Sequence, residues 1–178
     1  MVGLQVREIN TREENEAVRQ LYETAFPEEE QIPWDDLMRL VEEIPLDFTL
    51  YYDDEDEFLG FTIMLEREPV SWFWYFAMVE EKRGHGMGRE ILRLFDEKYK
   101  GKTYFMDIES PEQTDAPNPE ERRRRTDFYL RNGFRMSDVK WSYYPVDYAI
   151  LLKGPMNPTQ QDFEDMKAEL WKHWQPTD

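Results

Sequence analysis

One segment constrains the fold more than any other: residues 71–79, Ser-Trp-Phe-Trp-Tyr-Phe-Ala-Met-Val, are apolar at nearly every position. Successive side chains of a strand point to opposite faces of the sheet, so a strand is apolar throughout only where both faces are covered. The segment is therefore predicted to be a central strand.

A glycine-rich loop, Arg83-Gly84-His85-Gly86-Met87-Gly88, follows this strand and precedes an amphipathic helical pattern that ends at Gly101. Alternate glycines let the backbone approach a ligand closely and turn several N–H groups towards it, and the helix adds its positive end. Lys82, Arg83 and Arg89 surround a helix N-terminus, where cations oppose the macrodipole. A bound polyanion would resolve that conflict, so the loop is predicted to hold the phosphate groups of a cofactor.

Two common phosphate motifs do not fit this loop. No Gly-Lys-Ser/Thr follows, as a nucleotide P-loop requires. The third glycine of a dinucleotide fingerprint is also missing, because Arg89 or Ile91 occupies its position. What remains is Arg-x-x-Gly-x-Gly, formed by Arg83, Gly86 and Gly88.

The periodicity of the remaining sequence predicts helices and strands in the order β-α-α-β-β-β-α-β-α-β-β. Thr11-Arg12-Glu13-Glu14 is typical of a capping box and predicts the start of the first helix; Pro33 opens the second. Gly60 is expected at a bulge. A later helix is predicted from Asn118-Pro119 to Asn132-Gly133.

After a linker with two prolines, Thr159-Gln160-Gln161-Asp162 predicts the cap of an extra C-terminal helix. Residues 1–154 are expected to form one domain, and residues 155–178 a linker and a helix that packs on this domain or on a partner subunit. A homodimer is one way to cover its apolar face.

The composition narrows the function classes. The net charge is −17, with 39 acidic and 22 basic residues, which disfavours nucleic acid and anionic membranes and favours either plain solubility or a cationic substrate. The absence of cysteine excludes disulfides and thiolate chemistry, and two histidines make a metal site unexpected. Without a long apolar stretch or a leader-like N-terminus, the chain is predicted to be cytoplasmic.

Residues 4–153 resemble the GNAT N-acetyltransferase superfamily. The resemblance rests on Arg-x-x-Gly-x-Gly after the central strand, on the element order, and on residues 128–134, which look like the family's Phe-Tyr-x-x-x-Gly-Phe signature. It implies an α+β fold, a single GNAT-like domain with a mixed, mostly antiparallel sheet flanked by helices, that uses acetyl-coenzyme A as acyl donor.

The resemblance also implies roles for individual residues. The strand end at Ala77, Met78 and Val79 would splay from its neighbour and bind the pantetheine arm, with a backbone N–H near Met78 as oxyanion donor. The pyrophosphate would lie on Arg83, Gly84, His85, Gly86, Met87, Gly88 and Arg89. Tyr129 matches the tyrosine that protonates the departing thiolate in many relatives.

The general base is less clear from sequence. Asp107 and Glu109 share one face of a predicted strand and are both candidates, acting directly or through water. The chain departs from a frequent family feature in having Ser110-Pro111 where an asparagine is common.

Three other groups of residues are considered for the site. Glu28-Glu29-Glu30 is expected to be a solvated connector, with contact to a substrate amine as the minor alternative. The arginines 122–125 are expected to form surface and intramolecular ion pairs rather than to bind nucleic acid, with contact to the 3′-phosphate of coenzyme A as the minor alternative. Aromatic residues that could line an acceptor cleft are Trp34, Trp141, Tyr143 and Tyr144.

The expected function is transfer of an acetyl group to a primary amine of a small molecule or peptide. The alternatives are a non-catalytic acyl-coenzyme A-binding or protein-interaction module and, as a third possibility, a nucleotide-binding protein.

Overall fold

The computed structural model describes residues 3–143 and 146–174, and only the backbone of Tyr143. These residues form a seven-stranded sheet in the order β1-β2-β3-β4-β5-β7-β6. The strands are β1 (Gln5–Glu8), β2 (Leu46–Tyr52), β3 (Phe58–Leu65), β4 (Ser71–Met78), β5 (Tyr104–Glu109), β6 (Arg135–Tyr143) and β7 (Val146–Lys153). The helices are α1 (Glu16–Ala25), α2 (Trp34–Glu43), α3 (Met87–Lys98), α4 (Pro119–Arg131) and α5 (Gln160–His173).

The sheet confirms the predicted α+β fold with a mixed, mostly antiparallel sheet. All neighbouring strands are antiparallel except β4 and β5, which run parallel. Only two residue pairs join these strands, Ser71 with Tyr104 and Trp72 with Phe105. Beyond Trp72 and Phe105 the strands diverge, so the sheet has a gap at its centre.

Helices cover both faces of the sheet, as the apolar segment 71–79 predicts. On one face α1, α2 and α5 form a core with Phe48, Phe61 and Tyr75. On the other, α3 and α4 pack Leu92, Phe95 and Tyr129 against Phe73, Tyr104 and Met106. We call these the α1/α2/α5 face and the α3/α4 face.

The predicted start of the first helix is wrong. The helix begins at Glu16, and its N-cap is Asn15, whose φ of 49° is left-handed. Asparagine tolerates this conformation, and the Asn15 Nδ2 donates to the Asn10 carbonyl at 2.6 Å. The Thr11 hydroxyl instead donates to Glu42 on α2, so a turn held by two asparagines replaces the expected capping box.

The later helix starts follow the sequence more closely. Pro119 lies in the first turn of α4, although Asn118 caps no backbone N–H and accepts from the Arg122 side chain instead. Thr159 and Asp162 form the predicted capping box at α5. Next to Gly60, the register of β2 and β3 shifts as expected for a bulge.

The C-terminal helix packs on the sheet of its own chain. Phe163, Met166 and Leu170 are buried in the core of the α1/α2/α5 face. The Phe163 ring meets Phe105 at 4.7 Å and Trp141 at 5.8 Å between centroids. The domain boundary at residue 154 stays a prediction.

None of the helices in the described parts of the chain is both long and apolar enough to cross a membrane.

Candidate active site

The gap between β4 and β5 opens into a cavity of about 720 Å³ that both faces of the sheet line. Phe73, Phe76 and Met78 border it from the α3/α4 face. Trp72, Trp74, Tyr75 and Ala77 border it from the α1/α2/α5 face. Trp74 and Tyr75, although consecutive, pack on the same side because a bulge shifts the β3–β4 register at this point. The cavity therefore passes through the sheet.

The glycine loop lies at the α3/α4 end of this cavity. Gly84 and Gly86 have φ of 82° and 78°, and open space lies where a side chain would begin. Gly86 is the residue before α3, and Met87 anchors the loop in a small core with Tyr51, Leu59 and Ile91. The backbone at the start of α3 is exposed and is held in place by the buried Met87, so it is suited to bind an anion.

The third glycine has a different role. A Cβ on Gly88 would lie 3.1 Å from the Met78 Sδ and 3.5 Å from the Phe128 ring. Because Gly88 lines the cavity, a side chain here would narrow it. Gly84 and Gly86 thus allow a left-handed backbone conformation, whereas Gly88 keeps the cavity open by having no side chain.

Only some of the predicted cofactor residues border the cavity. Ala77, Met78, Arg83 and Gly88 do, whereas Val79, Gly84, His85, Gly86, Met87 and Arg89 do not. The Val79 N–H donates to the Leu59 carbonyl at 2.8 Å, and the Arg83 guanidinium donates to the Met78 carbonyl at 3.2 Å. His85 and Arg89 are exposed beside the loop.

Tyr129 reaches the cavity from α4. Its ring is 8% exposed and packs edge-on against Phe128 and Phe134. Burial raises the pKa of the Tyr129 hydroxyl to about 12, so it stays protonated at neutral pH. Its position in the lining makes this proton available to a ligand.

Glu109 is held by arginines at the end of β5. The Arg122 Nη2 lies 2.7 Å from Glu109 Oε2, and Arg125 approaches to 4.0 Å. Arg122 is 3% exposed and also donates to Asn118, Gln113 and the Ser110 carbonyl. The expected intramolecular ion pair is therefore present. Arg122 is not on the surface, however, because the residues it contacts bury it.

Asp107 lies deeper in the same wall. It accepts a hydrogen bond of 2.9 Å from the Trp72 indole N–H. Burial raises the pKa of this carboxyl, and the indole bond together with the charge of Lys167 opposes the rise. The two carboxylates singled out from sequence are thus both in the cavity wall, one tied to an indole and one to a buried arginine.

A third carboxylate, Glu30, lies opposite them on the short 3-10 turn Glu28–Glu30 between α1 and α2. Its Oε1 accepts from the Tyr148 hydroxyl at 2.8 Å, and its carbonyl accepts from Tyr75. Burial raises the pKa of Glu30, and the charges of Glu109 and Asp107 add to the rise. Sequence reasoning favoured a solvated connector here, because no pattern in Glu-Glu-Glu distinguishes the inward residue.

The expected aromatic lining is partly present. Trp141 borders the cavity, as does Tyr148. Trp34 does not, because it is 8% exposed in the core against Tyr22 and Phe48. Tyr144 and the side chain of Tyr143 lie outside the described residues.

Within the described ranges, no group of three histidine or carboxylate side chains is arranged to hold a metal ion.

Solved structures share this architecture. A protein from Bacteroides thetaiotaomicron described as an acetyltransferase of the GNAT family superposes with a TM-score of 0.76 at 21% identity, covering 94% of this chain and 96% of its own. A Bacillus subtilis acetyltransferase in complex with coenzyme A gives 0.58 at 14%, covering 88% and 100%. A variant of spermidine N-acetyltransferase from Vibrio cholerae gives 0.59 at 12%, covering 84% and 92%. At these identities the matches establish the fold.

The fold and the divided sheet thus define the structural class to which the chain belongs. The family model described as "Acetyltransferase (GNAT) family" matches residues 15–134, and the chain belongs to that family. No curated protein sequence matches the chain.

Proposed function

We propose that this protein is an acetyl-coenzyme A-dependent N-acetyltransferase that transfers the acetyl group directly to a primary amine of a small molecule or peptide. One observation carries the proposal: a single cavity runs through the sheet from the glycine loop to the carboxylate of Glu30. Donor and acceptor can therefore meet in the gap from opposite faces.

The residues of the α3/α4 face fit the donor. The open backbone at Gly84 and Gly86, the start of α3 and the exposed Arg83 and Arg89 suit a pyrophosphate. Ala77 and Met78, at the free end of β4, would bind the pantetheine arm. When bound, acetyl-coenzyme A supplies an activated thioester, and the chain's own groups position it.

The acceptor requires a base, because a lysine-like amine has a pKa of about 10.4. Of the four carboxylates in the cavity wall, Glu29 is exposed, Glu109 is paired with arginines and Asp107 is bonded to an indole. Glu30 accepts one neutral hydroxyl and has a raised pKa, which brings its basicity closer to that of its task. We assign to Glu30 the removal of the amine proton, with Asp107 and Glu109 as the alternatives from sequence.

Tyr129 is suited to protonate the departing thiolate. It is protonated at neutral pH and lies on the donor side of the gap. The ammonium group loses two protons on the way to the amide, which Glu30 takes one after the other and passes to solvent. Tyr129 gives one proton to the departing sulfur, and its phenolate regains a proton from solvent because its pKa is about 12.

Titration calorimetry with acetyl-coenzyme A, followed by assay of coenzyme A release with a panel of primary amines, tests the function. We expect binding in the micromolar range and amine-dependent release. Absence of binding at millimolar acetyl-coenzyme A would refute the proposal. Binding without release by any amine would favour the non-catalytic module. A cytoplasmic location and a homodimer stay predictions.

A further inference from the structure

The C-terminal helix places a cation in the acceptor side of the cavity. Lys167 on α5 lines the cavity, and its Nζ lies 3.4 Å from the centroid of the Trp141 ring. The family model matches residues 15–134, so Trp141 and Lys167 lie outside the matched segment.

Among the described residues, the ammonium group of Lys167 has no ion-pair partner of its own. Within residues 3–143 and 146–174, no carboxylate oxygen is within 4.0 Å of its Nζ. Asp107 is near enough to influence it by charge, but the Asp107 carboxylate is engaged by the Trp72 indole at 2.9 Å. The ammonium group is half-buried over an aromatic ring and has no carboxylate oxygen within 4.0 Å among the described residues, so the cost of removing its charge from water is only partly offset. Burial lowers the pKa of Lys167 accordingly.

Stacked rings line the same side of the cavity. Trp72 stacks on Trp74 with 4.6 Å between ring centroids, and Trp74 on Tyr75 with 5.2 Å. Tyr75 donates to the backbone of Glu30, and Trp72 donates to Asp107, whose charge acts on Lys167. The acceptor side thus holds a carboxylate, Glu30, and a cation, Lys167, in one cavity lined by aromatic rings.

We infer that the acceptor carries a carboxylate or similar anion as well as its amine, and that Lys167 binds this anion while the amine faces Glu30. This inference rests on the proposed function and narrows its acceptor to amino acid-like or peptide-like molecules. A monoamine without an anion would leave Lys167 uncompensated when it displaces water from the cavity.

Matched acceptor pairs test the assignment: phenylalanine against phenylalanine amide, and 6-aminohexanoate against hexylamine. For the wild type, kcat/KM should favour the carboxylate-bearing member of at least one pair. Lys167→Met should reduce that member's kcat/KM by about tenfold or more and leave its neutral counterpart nearly unchanged, because only a charge-assisted contact is lost. Lys167→Arg should retain most of the preference. Lys172→Met, on the exposed side of the same helix, is the matched control.

A binding measurement separates this inference from the proposed function. N-acetylphenylalanine and its amide are titrated into the wild type and into Lys167→Met. This measurement needs no turnover. Carboxylate-selective binding that Lys167→Met abolishes would support the anion site even if no amine were acetylated. Equal treatment of both members of each pair by the wild type, or equal losses for both in Lys167→Met, would overturn it.

Discussion

The two faces that meet at the gap are built in different ways. On the α3/α4 face, the loop and the start of α3 come from one continuous stretch, residues 83–88, and what matters is backbone conformation. On the α1/α2/α5 face, Glu30, Asp107, Tyr148 and Lys167 come from four distant parts of the chain. One side is a local backbone motif and the other is an assembly of side chains.

This difference separates a task that a short sequence motif can perform from one that needs the complete fold. A pyrophosphate is recognised by N–H groups and a helix end, which any sequence with the right glycines can present. An acceptor is recognised by individual charges and rings, which need the complete tertiary structure to meet. The donor is therefore a property of the motif, while the acceptor depends on this chain's own residues.

The contact that ties α4 to the end of β5 should have the largest effect. Replacing Arg122 with Met leaves Glu109 with only Arg125, at 4.0 Å, and removes the arginine donor from the buried Ser110 carbonyl. We expect a loss of about 3–5 kcal/mol in the free energy of unfolding, as is typical when one partner of a buried ion pair is removed. Urea denaturation measures it.

Arg125→Met is the matched control on the same helix. Arg125 is exposed and lies 4.0 Å from Glu109, so its loss should stay below about 1 kcal/mol. Similar losses for both variants would show that burial of Arg122 does not tie α4 to β5.

Glu30→Gln should have the next largest effect, on the acceptor side alone. Loss of a general base typically costs about a hundredfold in turnover, with acetyl-coenzyme A affinity unchanged. Glu28→Gln, on the same turn but outside the cavity, should be silent. A silent Glu30→Gln would return the base to Asp107 or Glu109.

The raised pKa of Glu30 gives this prediction a pH dependence. In the wild type, kcat/KM should fall in acid as Glu30 is protonated, with a midpoint above the ordinary glutamate value of about 4.3. The variant should lose this limb and keep rising towards the amine pKa, because only neutral amine then reacts.

The raised pKa of Glu30 also predicts that Glu30→Gln, which harms turnover, does not harm stability. A carboxyl whose folded pKa is raised stabilises the fold below its unfolded pKa and loses that contribution as pH rises through the folded value. Glu30→Gln should therefore be at least as stable as the wild type at pH 7, and its advantage should disappear below about pH 4. Thermal unfolding at both pH values measures the difference.

The comparison of the two faces also explains what sequence could predict. The central strand, the glycine loop and the α5 cap depend on neighbours within a few residues, and the structure has them where the pattern places them. The start of α1 was missed because Asn10 and Asn15, five positions apart, compete with Thr11 for the turn.

The acceptor side could not be derived in the same way. Glu29 and Glu30 both border the cavity, but it is Glu30 that Tyr75 and Tyr148 hold, from more than forty positions away. Arg122 is buried only because β5 ends beside α4. Trp34 was expected near the cleft, but its ring fits the core between Tyr22 and Phe48. Each of these placements depends on tertiary contacts, which the local hydrophobic periodicity of the sequence does not reveal.

Tyr129→Phe probes the donor side of the chemistry. We expect about a tenfold or greater fall in kcat with little change in acetyl-coenzyme A affinity, because a thiolate is already a fair leaving group and gains only moderately from an acid. Tyr104→Phe, in the same core but hydrogen-bonded to Asp96, is the control. Unchanged kcat, with chemistry shown to limit the rate, would remove the acid role.

The smallest expected effect tests whether the donor face depends on backbone conformation. Gly86→Ala places a Cβ on a residue with φ of 78°, which costs about 1–2 kcal/mol in left-handed backbone. If the loop relieves this strain by moving, acetyl-coenzyme A affinity should fall about fivefold or more. Gly101→Ala, with φ of 87° and equally open space just after α3, should lower stability by a similar amount and leave affinity intact. Calorimetry on both variants separates the two outcomes: if both bind acetyl-coenzyme A like the wild type, the left-handed turn at Gly86 is not what holds the pyrophosphate, and the donor side would have to be recognised by side chains as the acceptor side is.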